Sequence, residues 1–185
     1  MKGDLKTVLA NKLEHKKLSR IYKSYDIVGD IAIIRVPESL EKHSRLIARA
    51  IMEKHKEVKA VWRQVSSVSG TYRLRRLEFL LGEKKTKTVY REHGSSFKTD
   101  LSQVYFSPRL SYERLRIAKL TKNGESVLNM FAGVGCYSII IAKHAKPQKV
   151  YSIDVNPVAF KFLQENILLN RVEKTVVPFQ GDAKE

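Results

Sequence analysis

Ser126-Val127-Leu128-Asn129-Met130-Phe131-Ala132-Gly133-Val134-Gly135-Cys136-Tyr137 decides how this chain is read. An apolar run over residues 126–131 meets a glycine pair and passes at once into helical spacing over 137–144, which predicts strand, tight turn, helix. Residues 149–153 then read as a second strand, 157–170 as a helix with Pro157 in its first turn, and 175–179 as a third strand. This βαβαβ alternation predicts an α/β fold, the first half of a Rossmann-like doubly wound sheet. In such sheets a ligand lies beyond the carboxyl ends of the strands, where glycines allow close approach and the next helix offers free N–H groups.

Asp154 closes the second strand 19 residues after Gly135, where a carboxylate can accept both hydroxyls of a ribose. Gly181-Asp182 follows the third strand. A glycine turn and two acids in register point to a nucleoside ligand. The turn lacks the third glycine of the dinucleotide fingerprint, which favours S-adenosyl-L-methionine, a cofactor without phosphate, and leaves a dinucleotide as the minor alternative.

Working outward, the charge is uneven. The 185 residues carry 35 Lys and Arg against 19 Asp and Glu, a net of +16. Up to Lys122 there are 28 basic and 13 acidic residues, a net of +15; beyond it, 7 and 6. The first two thirds therefore suit a polyanion such as nucleic acid, although lysine-rich surfaces also occur simply in heat-adapted proteins. One cysteine, Cys136, excludes an internal disulfide, and no His and Cys grouping suggests a metal site. No run approaches the roughly 20 apolar residues of a membrane span, and residues 1–20 lack a signal-peptide core, so a soluble, cytoplasmic protein without a membrane partner is expected.

Residues 1–100 read as a small basic α+β module. A helix is expected over 4–17, a strand from Ile27 to Val36 broken at Gly29-Asp30, a helix over 38–55, and strands over 58–65, 72–81, 87–92 and 96–100, the last two forming a hairpin through His93-Gly94. On a 72–81 strand, Arg73 and Arg75 would share one face and Arg76 the other. Such arginines serve either a functional pair or a solvated face. Residues 101–122 connect the module to the sheet, with a helix over 111–120 capped by Ser111 and carrying Glu113 in its first turn, where an acid also simply matches the helix dipole. Residues 123–185 form the cofactor half-domain.

Val104-Tyr105-Phe106-Ser107-Pro108-Arg109-Leu110, Glu113-Arg114, Met130 to Gly135 and Ile153-Asp154-Val155-Asn156-Pro157, with Asp26 to Asp30 and Tyr72-Arg73, together resemble the archaeal and eukaryotic tRNA guanine-N1 methyltransferases acting at position 37. The resemblance runs from about Tyr25 to Asp182. It implies S-adenosylmethionine as methyl donor and the anticodon region of tRNA as partner. Guanine N1 carries a proton at neutral pH, so a base must remove it while a cation stabilises charge on O6. By family match Glu113 would be that base and Arg73 that cation. Tyr105, Arg109, Phe131, Ala132, Gly133, Gly135 and Asp154 would line the cofactor site, and Asp182 would meet the adenine. Arg114 would contact phosphate, and Arg75, Arg76 and Arg63 would join the RNA surface. Wyosine-pathway enzymes that transfer a methyl or the aminocarboxypropyl arm at the same nucleotide are the near alternative, and a non-catalytic RNA-binding remnant the distant one.

Departures from the family pattern are Asn129 in place of an aspartate, which predicts weaker cofactor affinity, and Cys136-Tyr137 in place of Pro-Phe, with Cys136 a packing residue. As it stands the chain reads as a truncated member whose sheet ends after its third strand. The expectation is that it does not methylate tRNA alone and that a second polypeptide could complete the sheet.

Overall fold

The computed structural model describes residues 5–185, so Asp4 of the expected first helix lies outside the described residues. The chain forms two compact units: residues up to Val68 with Arg75–Thr86, and Ser69–Leu74 with Lys87–Glu185. The boundary expected at residue 100 therefore falls at residue 86. The hairpin over 87–100 and the segment 101–122 belong to the second unit.

In the first unit the expected basic helix is two short ones, α1 (Leu5–Leu9) and α2 (His15–Ser19), separated by a turn around Asn11, a residue that favours turns over helix interiors. Strands β1 (Asp26–Val28) and β2 (Ile31–Ile34) pair antiparallel across Gly29-Asp30. The expected helix over 38–55 begins as a 3-10 helix (Glu38–His43) and becomes α3 (Ser44–Lys54) where the Ser44 hydroxyl donates back to the Glu41 carbonyl at 2.6 Å. β3 (Ala60–Gln64) runs parallel to β2, and β4 (Leu77–Gly82) antiparallel to β3, giving the order β1-β2-β3-β4. Alternate residues Ala32, Ile34, Val61 and Leu80 pack with Leu5, Leu9, Leu40, Ile47 and Ile51 into one buried core. Period-2 strands thus meet period-3.6 helices.

The strand expected over 72–81 starts only at Leu77. Upstream, Ser69 and Leu74 exchange backbone hydrogen bonds of 2.9 and 3.0 Å, and the Arg73 N–H donates to the Gly70 carbonyl at 3.0 Å. Arg73 sits at φ 53, in the left-handed region, so the alternation expected for Arg73, Arg75 and Arg76 does not hold.

The second unit opens with the hairpin β5 (Lys87–Glu92) and β6 (Ser95–Asp100), whose two turn residues both take positive φ as a two-residue loop requires. A 3-10 turn (Pro108–Leu110) leads into α4 (Ser111–Leu120). Ser111 does not cap it: Leu110 holds that position, and the Ser111 hydroxyl bonds His93 Nε2 at 2.9 Å. Then follow β7 (Ser126–Asn129), α5 (Cys136–Ala145), β8 (Lys149–Asp154), α6 (Pro157–Leu169) and β9 (Val176–Gln180), three parallel strands in the order β7-β8-β9. The Rossmann-like half-sheet is as expected. Asn156 caps α6, its side-chain oxygen accepting from the Val158 and Ala159 N–H groups, and Pro157 occupies the first turn as expected.

Two buried polar devices join these pieces. Asn166 on α6 and Asn170, the C-cap one turn later, face the outer edge of β6. The Asn166 amide accepts from the Lys98 N–H at 2.8 Å and donates to the carbonyls of Lys98 at 3.0 Å and Val134 at 2.9 Å. Asn170 does the same to Ser96, at 2.9 and 2.7 Å. Side-chain amides thereby take the place of a neighbouring strand and satisfy an edge that would otherwise be open.

The second device is an ion pair. Arg114 on α4, buried, donates to Glu92 Oε1 of β5 at 2.7 Å and to the Ser107 carbonyl at 2.8 Å, and its guanidinium lies over the rings of Phe106 and Tyr137. The expected phosphate contact is thus a buried structural group. Replacing Glu92 by Ala should cost about 3–5 kcal/mol in urea unfolding, because it strands a buried cation. A Glu92→Met, Arg114→Met double variant should recover most of that loss. Asn166→Ala, which leaves three backbone groups without partners, should cost about 2–4 kcal/mol.

Candidate functional site

The strand ends of the second unit open onto a cavity of about 150 Å³, lined among others by Arg73, Tyr105, Phe131, Gly133, Asp154 and Asp182. Each arrives by a separate loop. Asp154 organises them. Its Oδ2 accepts from the Gly133 N–H at 2.6 Å, its Oδ1 from the Asn156 N–H at 2.9 Å, and its carbonyl from the Gly181 N–H at 3.2 Å. One residue therefore ties the loops after β7, β8 and β9 together. Accepting two backbone N–H bonds holds the carboxylate in one orientation while spare lone pairs face the cavity.

The glycines do different work. Gly133 has φ 56, and a side chain there would project into open space, so it keeps the cavity floor accessible. Gly135 has φ 95, and a methyl group there would come within 2.6 Å of Leu163 Cδ1, so it lets α5 pack on α6. Ala132, buried, donates its N–H to the Ile153 carbonyl at 2.9 Å. Thus Gly133 borders the cavity, whereas Ala132 and Gly135 shape it from behind. Phe131 is 79% exposed and forms an apolar rim with Met130 and Val155.

On the opposite wall the Arg73 guanidinium lies 5.7 Å from the centre of the Tyr105 ring, within cation–π range. The left-handed turn at Arg73 and the loop after β6 bring the two together. Chemically, the cavity combines a carboxylate suited to vicinal hydroxyls, an apolar rim suited to a flat ring, and a cation suited to a carbonyl oxygen.

Other expected residues lie elsewhere. Glu113 and Arg109 do not line the cavity; Arg109 is exposed on the 3-10 turn before α4. Both Glu113 carboxylate oxygens accept from Arg116, each at 2.7 Å, and that pairing holds the carboxyl below its usual value. Arg63 is an internal cross-link between Glu41 and Glu78, and Arg75 reaches Gln64 and Asp26, so neither is an open phosphate site. Arg76 is exposed. The Asn129 amide donates to the Ser138 hydroxyl at 2.9 Å, which also accepts from Ser152, and does not line the cavity.

Sequence reasoning about the site omitted Asn156 and Tyr72 as lining residues. Asn156-Pro157 carried a usable signal, since Asn followed by Pro marks a helix start at a strand end. Tyr72 stood only in the Tyr72-Arg73 pair of the resemblance, and no local pattern placed it at the cavity, because its position depends on the turn at Gly70.

Cys136 is buried, and desolvation, partly offset by Arg114, pushes its thiol up to about 12. Iodoacetamide at pH 8 should therefore leave the folded chain unmodified and label it only on unfolding, as read by intact mass.

With this geometry in hand, the chain can be set beside known proteins. Residues 88–185 match the TRM5/TYW2 methyltransferase domain, and residues 5–86 match the TYW2 N-terminal domain, a division that follows the two compact units except at Ser69–Leu74, which packs with the second. A tRNA (guanine(37)-N(1))-methyltransferase Trm5b of Pyrococcus abyssi is 50% identical over 162 residues, covering 88% of this chain and 48% of that protein. The structure of an aTrm5 in complex with tRNALeu superposes with a TM-score of 0.88 at 38% identity, over 100% of this chain and 55% of the other. Pyrococcus horikoshii TYW2 in complex with MeSAdo gives 0.78 at 33% identity, over 100% and 65%. The chain spans about half the length of the Trm5b relative it matches. A half-sheet with Asp154 at the hub of its loops, and a family match over more than half of the chain, make this protein a member of the TRM5/TYW2 methyltransferase family.

Proposed function

We propose that this protein takes part in S-adenosylmethionine-dependent methylation of guanine N1 at position 37 of tRNA. The observation that carries the reading is that Arg73 lines the same cavity as Asp154, Gly133 and Asp182. The residues present fit the cofactor: Asp154 would hold the ribose hydroxyls, Asp182 the adenine amino group, and Gly133 would leave room beside them. Bound there, the cofactor supplies an electrophilic methyl group.

The protein's own residues do the rest. Arg73 would donate to guanine O6 as negative charge builds there, with Tyr105 keeping the guanidinium in place. Glu113 would take the N1 proton as the new N–C bond forms. Its pairing with Arg116 occupies both oxygens, so the base becomes available only when Arg116 lets go. The relative solved with tRNALeu supports tRNA as the partner, and the one solved with MeSAdo supports the cofactor class. Similarity to TYW2 favours one second reading, transfer of the aminocarboxypropyl arm at the same nucleotide.

Calorimetry should detect one S-adenosylmethionine site, weakened roughly 10- to 100-fold by Asp154→Ala. Absence of binding would leave only a non-catalytic RNA binder. Arg73→Ala should lower single-turnover transfer roughly 10²–10³-fold, and the mass of the modified nucleoside separates methyl from the heavier arm. Because Arg116 lowers the Glu113 pKa in the free protein, Arg116→Ala should move the acidic limb of the kcat/KM profile to higher pH. An unmoved limb rules out Glu113 as the base.

A further inference from the structure

The first unit has its own cleft, of about 400 Å³, lined by Tyr22, Arg35, Val36 and residues 64–68. The topology explains it. Because β2 and β3 are parallel, their carboxyl ends, followed by Arg35 and by Ser66 to Val68, lie at one end of the sheet. Strands β1 and β4 run the other way, so their starts lie at that end as well, bringing Tyr22 and Arg76 there. The Val65 N–H donates to the Arg76 carbonyl at 3.0 Å, and the Arg76 N–H to the Ser66 hydroxyl at 2.8 Å, which fixes the floor of the cleft.

Two side chains in this cleft are exposed and chemically suited to hold a ligand. Tyr22 is 52% exposed. Arg35 is exposed and, among the described residues, has neither an ion pair nor a side-chain hydrogen bond, whereas Arg63, Arg75 and Lys85 are committed to Glu41, Glu78, Gln64, Asp26, Asp30 and Glu83. An open aromatic ring beside an unneutralised guanidinium is the pairing that holds single-stranded nucleic acid, with a base on the ring and a phosphate on the cation. The connection lining the cleft also continues in sequence, three residues after Val68, into Thr71, Tyr72 and Arg73 of the cavity described above.

We infer that the strand-end cleft of the first unit is a second RNA subsite, which stacks an unpaired base on Tyr22 and binds the adjoining phosphate through Arg35. It rests on the proposal that RNA is the substrate and adds a nucleotide other than the one modified. In this arrangement Arg35 supplies the electrostatic grip that Arg63 and Arg75 cannot, since those are already paired with carboxylates.

Fluorescence anisotropy with a labelled transcript of the tRNA anticodon arm tests it on the full chain. Tyr22→Ala should weaken binding roughly 5- to 100-fold, and Tyr22→Phe should retain affinity because the ring remains. Arg35→Gln should weaken binding and reduce the salt slope by about 0.7–0.9. Affinity for S-adenosylmethionine and the thermal midpoint should stay unchanged in all three. Binding by Tyr22→Ala and Arg35→Gln within about twofold of the parent, with an unchanged slope, overturns the subsite. Equal losses for Tyr22→Ala and Tyr22→Phe overturn the stacking. If the parent binds RNA but not S-adenosylmethionine, the methyltransferase proposal fails while the subsite stands.

Discussion

Asn166 is the residue through which the second unit is held together. Fully buried on α6, its amide makes three hydrogen bonds, two to the outer edge of the β5–β6 hairpin and one to the glycine loop after β7. A buried amide is tolerable only when its donors and acceptor are met, so its satisfaction fixes helix, hairpin and loop in one register. Asn170 repeats the contact one turn later and gives the clamp a direction. The glycine loop can then present Gly133 to the Asp154 carboxylate, because its other end is anchored at Val134.

The electrostatics follow the same economy. A chain with a net charge of +16 could be expected to display most of its cations, yet several are spent internally. Arg63 cross-links Glu41 and Glu78, Lys85 bridges Asp30 and Glu83, and Arg114 disappears beneath Phe106 and Tyr137 to meet Glu92. Arg114 also fixes the Ser107 carbonyl, so the buried pair steadies the segment that carries Tyr105 into the cavity. What remains for a polyanion is a smaller, placed set. Arg73 is exposed in a left-handed turn, where its backbone strain is offset by the bond to Gly70 and its side chain is aligned by Tyr105.

Local signals carried the half-sheet. Apolar runs of period two, a proline in the first turn of α6 and glycines where the backbone must turn left are properties of neighbouring residues, so β7 to β9 were legible to within a few positions, as was Asp154 at the end of β8. Resemblance supplied the proposed reaction and the roles proposed for Arg73 and Glu113, which no periodicity could pick out. Tertiary structure decided the rest. Whether an arginine stays open to solvent or meets a glutamate depends on partners distant in sequence: Glu92 lies 22 residues from Arg114, and Glu41 lies 22 from Arg63. The strand expected through Arg73 failed because Gly70 closes a turn whose hydrogen bonds compete with the sheet, and the asparagine clamp spans 68 and 74 residues. Short-range patterning thus determined which elements form, and long-range pairing determined which charges remain for function, because the carboxylate that offsets a cation comes beside it only once the chain has folded.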